Sequence, residues 1–446
     1  MGLTKRVSLM DLKIPSELIV QCMHCGMCLP VCPTYNLTLL EKSSPRGRIR
    51  LIKEVEDGNL PMTDDFVDEM YFCLDCQACQ SVCPAGVQYG KLVESARIKA
   101  FMLGKDKQVL IKKLIFRFVF ASNFVFKFFA RLMGLYQKTL RRFIYKIIPD
   151  RLRRIEELAP MISNKFSDEV LPEVLKPNGE VKYKVGFLTG CFMNVMYSGI
   201  NIDSIEVLLE NGCEVYIPKK QVCCGSVMAH YGDIEMARRL ARKNVIEFSR
   251  YELDAIVVNS AGCGAFMKEY GELFKEDKDK TLSEKAEHIS KIVKDINEFL
   301  CEIDFKKPEV ELDLKVTYHD ACHLAHTQKI TAQPRTLIKS IPGVKLVELN
   351  ESTWCCGSAG IYNILRYDDS MKILDRKIKN ILETKAEIVL TANPGCHAQI
   401  EYGLKKAKAD IKVMHPVSLL NIAYKMMKAS GNFVVINYNE AFKNRE

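Results

Sequence analysis

Eight cysteines near the N-terminus fall into two equal runs. Cys22, Cys25, Cys28 and Cys32 precede Pro33, and Cys73, Cys76, Cys79 and Cys83 precede Pro84. Both runs read C-x2-C-x2-C-x3-C-P. Thiolates are soft ligands. Three of them at two-residue gaps in a tight loop can wrap three irons of one cubane. The fourth, after a longer gap and fixed by a proline, points away from its own loop. Zinc also binds C-x2-C pairs, but it needs two such pairs per site and neither a third regular cysteine nor a C-P ending. The pattern therefore points to iron–sulfur chemistry and electron transfer. A disulfide framework fits poorly, because the chain is long and Met1 leads into the polar stretch Thr4-Lys5-Arg6, where no secretory signal is expected.

This run is similar to the ligand run of bacterial ferredoxins with two 4Fe–4S clusters, in which the fourth cysteine serves the other cluster. The resemblance implies one cluster on Cys22, Cys25, Cys28 and Cys83. It implies a second on Cys73, Cys76, Cys79 and Cys32.

A second cysteine system occupies the rest of the chain. One unit runs from Cys191 through Cys223-Cys224-Gly225 to Cys263. The other runs from Cys322 through Cys355-Cys356-Gly357 to Cys396. Matching cysteines are offset by 131, 132 and 133 residues, a drift small enough to mark an internal duplication. Flanking segments repeat as well. Apolar strands are expected over 181–189 and 314–319, 214–217 and 345–349, and 253–259 and 386–392. Helical stretches over 234–250 and 370–383 separate them. Alternating strands and helices predict parallel sheets with right-handed crossovers. In such sheets the C-terminal strand ends carry the ligands, and Cys191, Cys263, Cys322 and Cys396 sit at or just past them. The glycine after each cysteine pair permits a tight turn that aims both thiols at one place. Cys213 and Cys301 have no counterparts in the other unit and read as small buried residues.

The chain has 446 residues, 48% of them hydrophobic, with 18 cysteines and a net charge of +9. Two or three domains are expected, in a reducing, cytoplasmic setting. The charge is uneven. Residues 105–154 hold fourteen Lys or Arg against Asp106 and Asp150, interleaved with Phe and Leu. Arg117, Lys127 and Arg131 interrupt every window long enough to span a bilayer. A basic amphipathic helical segment is expected, set to lie peripherally on the inner face of the membrane or against a partner subunit, the bland alternative being a helical hairpin packed on the chain's own domains with its Lys and Arg solvated. Nucleic-acid binding is not expected, since the interleaved residues are not set for groove or base contacts.

Taken together, these motifs resemble the iron–sulfur subunit of glycolate oxidase over nearly the whole chain. The carrying residues include Cys22-Met-His-Cys25-Gly-Met-Cys28, Pro45-Arg46-Gly47-Arg48, Cys73-Leu-Asp-Cys76-Gln-Ala-Cys79, Tyr318-His319-Asp320-Ala-Cys322-His323 and Asn393-Pro394-Gly395-Cys396. The broader group includes iron–sulfur subunits of lactate and anaerobic glycerol-3-phosphate dehydrogenases and of heterodisulfide reductase. The expected fold is mixed α+β and α/β. A helical two-cluster ferredoxin-like module (1–104) precedes a basic helical segment and linker (105–180). Two Cys-Cys-Gly domains with parallel sheets follow (181–310 and 311–446). The resemblance implies a separate FAD subunit that oxidises a 2-hydroxy acid, and a quinone or other carrier as acceptor. No G-x-G-x-x-G after a strand and no Walker A loop occurs, so no flavin is expected on this chain.

The resemblance has one departure. Heterodisulfide reductase units end in C-x2-C, whereas Ser260 and Asn393 stand three residues before Cys263 and Cys396. Each unit keeps four cysteines. Cys191, Cys223, Cys224 and Cys263, with Cys322, Cys355, Cys356 and Cys396, are candidate ligands for one or two further centres, or else reactive thiols. His319 and His323 are candidate proton donors beside them, and no other catalytic group is assigned. Arg46 and Arg48 are read as cluster-stabilising or partner-binding, or as members of a surface loop paired with acids. A thiol or heterodisulfide reductase is the competing enzyme reading, and a zinc scaffold the non-redox one.

Overall fold

The computed structural model describes residues 14, 16–120 and 122–430. Thr4-Lys5-Arg6 lies outside them. The N-terminal part is helical. Helix α1 (Pro45–Glu56) starts at Ser44, whose side chain accepts from the Gly47 amide. Helices α2 (Asp64–Phe72) and α3 (Tyr89–Met102) complete the module. Ile49, Ile52, Met70, Leu92, Val93 and Ala96 form its core, and the cysteine loops cover one end of it.

The basic segment follows as α4 (Val109–Leu114), a π-turn over Ile115–Val119 and α5 (Asn123–Thr139). No helix of the described residues is long and apolar enough to cross a membrane.

Next come two α/β units with matching topology. The first sheet holds β1 (Val174–Leu175), β2 (Tyr183–Phe187), β3 (Cys213–Tyr216), β4 (Ala255–Val258) and β5 (Val293–Asp295), in the order β1-β3-β2-β4-β5. The second holds β6 (Leu314–Tyr318), β7 (Val344–Val347), β8 (Ile388–Leu390) and β9 (Lys412–Met414), in the order β7-β6-β8-β9. All pairings are parallel except that of the short edge strand β1 with β3. The repeat is therefore structural, with β3-β2-β4-β5 matching β7-β6-β8-β9. The sheets share one core, in which Val185, Phe187 and Val257 pack in the same cluster as Val316, Tyr318 and Ile388.

The six expected repeat strands form; four are trimmed by one to four residues, while those expected at 214–217 and 345–349 begin one residue earlier, at Cys213 and Val344. The strands β1, β5 and β9 add to them. Helices α6 (Ile234–Phe248) and α7 (Tyr367–Thr384) fill the expected helical stretches. Asp233 caps α6 by accepting from the Met236 amide. Met236, Ala237, Leu240, Ala241 and Val245, spaced for one helix face, are buried.

Candidate functional site

The cysteine loops of the N-terminal module sit at the end of its core. Cys25 is exposed, whereas Cys22, Cys28 and Cys83 are half-buried against that core. Arg46 pins the first loop by donating to the His24 carbonyl at 2.9 Å while paired with Glu41. Burial pushes the Cys28 thiol up, against the main-chain N–H of Arg46.

Cys32 leaves its own run and joins the second one. Cys32, Cys73, Cys76 and Cys79 together line a cavity of about 10 Å³. The Asp75 amide and the Tyr89 hydroxyl both donate to the Cys73 sulfur, at 3.3 and 3.4 Å. Burial pushes Cys76 and Cys79 well up, with neighbouring cysteines adding to it. Thiols so placed keep their protons unless a bound cation displaces them. Four buried sulfurs with no carboxylate in the lining suit an iron–sulfur cluster.

Beneath this set lies Arg48, with a fully buried side chain. It donates to Glu69 Oε1 at 2.7 Å, to Thr34 Oγ1 at 3.0 Å and to the Ser43 carbonyl at 2.9 Å. Thr34 in turn touches the Cys32 sulfur at 3.3 Å. Arg48 is thus sealed in the module and offers nothing to a partner. Arg46 is the surface half of the motif.

The eight cysteines of the two α/β units converge on a second cavity, of about 310 Å³, between the units. Cys191 Sγ lies 3.4 Å from Cys223 Sγ. That contact, with burial, pushes Cys191 up, while Cys223, accepting from Cys191 and Cys224, is held well below the usual thiol range. Both pair turns bend through left-handed glycines, Gly225 at φ +97° and Gly357 at φ +90°. A Cβ there would stand 3.0 Å from the Ala237 carbonyl or 2.7 Å from that of Ser370. Cys263 and Cys396 occupy the first turns of α8 (Ala261–Lys268) and α9 (Pro394–Lys406). Asn393 links the units: its Oδ1 accepts from the Gly262 amide at 3.2 Å and its Nδ2 faces Cys396 Sγ at 3.6 Å. Cys213 is buried in the shared core and Cys301 donates to the Gln333 carbonyl, both apart from this cavity.

His319 is buried, and a ring nitrogen lies within 4.8 Å of the Cys356 and Cys396 sulfurs. Burial, with Lys377 nearby, holds it well below the usual histidine range. His323 lines the cavity, and burial lowers it to about 4. Both rings are neutral at pH 7 and can offer only a ring N–H.

The sequence reading missed the groups that join the bodies. His230 Nδ1 bonds Glu94 at 2.6 Å and Asp75 at 3.1 Å. Burial disfavours its charge, but the two carboxylates outweigh that and lift it to about 10. Its ring meets that of His323 at 4.9 Å. Arg97 crosses the same seam, donating to the Met70 and His230 carbonyls. On the other side Cys76 packs with Cys355 and Trp354, and Ser81 meets His326 at 2.9 Å. Only Asp75, between two run cysteines, gave a sequence signal.

Cys73 borders both cavities. The N-terminal thiol set therefore abuts the inter-unit thiols directly.

The 4Fe-4S dicluster domain model matches residues 19–87, and the cysteine-rich domain model matches 185–268 and 316–401. The chain is 36% identical over 418 residues to the probable glycolate oxidase iron-sulfur subunit of Bacillus subtilis (strain 168), covering 90% of this chain and 93% of that one. It is 31% identical to the glycolate oxidase iron-sulfur subunit of Escherichia coli (strain K12), covering 85% and 89%. The chain belongs to the glycolate oxidase iron–sulfur subunit family. Lactate utilization protein A of Halalkalibacterium halodurans is 29% identical over 239 residues, 53% of this chain and 96% of that one. The dicluster match spans both N-terminal cysteine runs, and the two cysteine-rich matches fall one on each unit of the family's duplicated half.

Proposed function

We propose that this chain is the electron-transfer subunit of a 2-hydroxy-acid oxidase, most simply of glycolate type. In this reading a FAD-bearing partner oxidises the substrate, and a quinone or another carrier receives the electrons. Residues 1–104 form the entry module, with one 4Fe–4S cluster on Cys22, Cys25, Cys28 and Cys83 and another on Cys73, Cys76, Cys79 and Cys32. When bound, these clusters supply one-electron carriers. The observation that carries the reading is the position of Cys73, which borders both thiol-lined cavities. Cys32 beside Cys73, Cys76 and Cys79 supports the crossed ligand sets.

The protein's own residues prepare these sites. Arg48, paired with Glu69, holds Thr34 against the Cys32 sulfur of the second thiol set. The Asp75 amide and Tyr89 hydroxyl donate to the Cys73 sulfur and orient it. The four sulfurs of each α/β unit can hold a further iron–sulfur centre, to which the neutral His319 and His323 rings can donate an N–H hydrogen bond. This reading places the chain in a reducing, cytoplasmic setting, where cluster-ligating thiols stay out of disulfides.

The test is iron and sulfide content with EPR after anaerobic purification and dithionite reduction. About eight irons confine clusters to the entry module, and about twelve to sixteen fill the inter-unit thiols too. Zinc without iron sinks the proposal. The chain alone should not oxidise glycolate or lactate, and should reduce dye only with its flavoprotein. One observation favours a second reading: a cavity lined by nine cysteines suits a disulfide substrate. Disulfide reduction by the dithionite-reduced chain, abolished by Cys223→Ser, would turn the assignment to a thiol reductase.

A further inference from the structure

The outward side of the basic segment is apolar, the reverse of an ordinary surface helix. Helix α5 turns Ala130, Gly134 and Gln137 inward, packed near Ile162 and Phe166. A Cβ on Gly134 would stand 3.2 Å from Ile162. Its opposite stripe, Phe124, Phe128, Leu132 and Leu135, is 76, 51, 47 and 59% exposed. That spacing is one helix face. The same holds before it, where Leu110, Leu114 and Phe118 are 78, 68 and 59% exposed, and after it, where Phe143 and Ile147 reach 70 and 80%. Exposed apolar runs of this extent mark a surface that something covers.

The charge pattern selects the occupant. No Asp or Glu occurs anywhere from 107 to 149. Lys105, Arg142, Lys146 and Arg151 are exposed and have no ion-pair partner among the described residues. Arginine is common at protein interfaces but lysine is depleted there, so Lys105 and Lys146 are the two that speak for lipid. A bilayer rim instead takes Phe and Leu at the acyl boundary with lysines and arginines among the phosphates.

We propose that the face built by residues 105–151 docks on an anionic lipid surface and holds the chain there without crossing it. This inference is independent of the electron-transfer reading.

The test is flotation of the full chain, anaerobically purified with its clusters. The vesicles are phosphatidylcholine alone or phosphatidylcholine mixed with phosphatidylglycerol. The protein should float with the mixed vesicles, come off at high salt, and stay down with phosphatidylcholine. Phe128→Ser with Leu135→Ser should weaken partition at least about tenfold. Arg142→Glu with Lys146→Glu should do the same. Both pairs lie on the surface, so visible spectrum and Tm should match the parent. Leu382→Asp, an exposed leucine elsewhere, should float unchanged. No flotation on mixed vesicles overturns the proposal. So does flotation indifferent to both pairs, or a loss of flavoprotein binding in the Ser pair with flotation intact, which would make the face a protein interface.

Discussion

At the scale of single residues, the thiols carry identity and their neighbours carry the environment. Arg48 is buried with Glu69 and bonded on every side. Removing one member of such a pair leaves the other charge stranded. Arg48→Met should therefore cost about 3–5 kcal/mol, read as a fall in the denaturation midpoint at unchanged m-value. An unchanged midpoint would show that Glu69 finds another partner. His230 gives a pH signature. Its folded value, about 10, lies above the ordinary 6.5. Its contribution is thus complete below pH 6.5 and is lost as pH rises toward 10. A His230→Gln variant should lose less stability than the parent between those limits. Equal slopes in denaturant titrations would remove His230 as the cause. The cysteines were legible because metal chemistry forces them into fixed spacings. Arg97 and His230 were not, because each is one residue whose partners lie far away in sequence: Glu94 is 136 positions from His230.

At the scale of elements, the sequence revealed the long apolar strands and the amphipathic helices, whose periods need several residues to show. The strands β5 and β9 span three residues each and β1 two, too few for a period. Yet Asp295 and Glu298 form a capping box at the end of β5, and that D-x-x-E spacing was there to be read. The pair turns were legible for a different reason. Only glycine combines a left-handed backbone with a carbonyl 3.0 Å or less from the missing Cβ. Gly225→Ala or Gly357→Ala should destabilise by about 1–3 kcal/mol and lower any metal retained by that unit. A Tm equal to the parent would mean that the turn relaxes freely. The apolar outer stripe of α5 was visible as a Phe-rich pattern, but its outward direction needed the structure, since a period does not say which side faces solvent.

At the scale of the whole molecule, the N-terminal module is wedged against both α/β units. Tyr71 stacks on Tyr231 with ring centroids 6.2 Å apart, and Arg366 pairs with Asp68. Arg97 is the buried bolt of this seam. Arg97→Ala should cost about 3 kcal/mol and raise hydrogen exchange together at 70–75 and 226–231. Faster exchange on one side alone would mean that the bodies are not coupled there. The fold class and the duplication were legible from residue spacing. The shared cavity was not, because no local pattern encodes how two repeats face each other.

Cys73, Leu74 and Asp75 belong to the N-terminal module, yet they form part of the wall of the inter-unit cavity. Loosening of that seam would therefore also uncover the chamber in which the thiols of the two units meet.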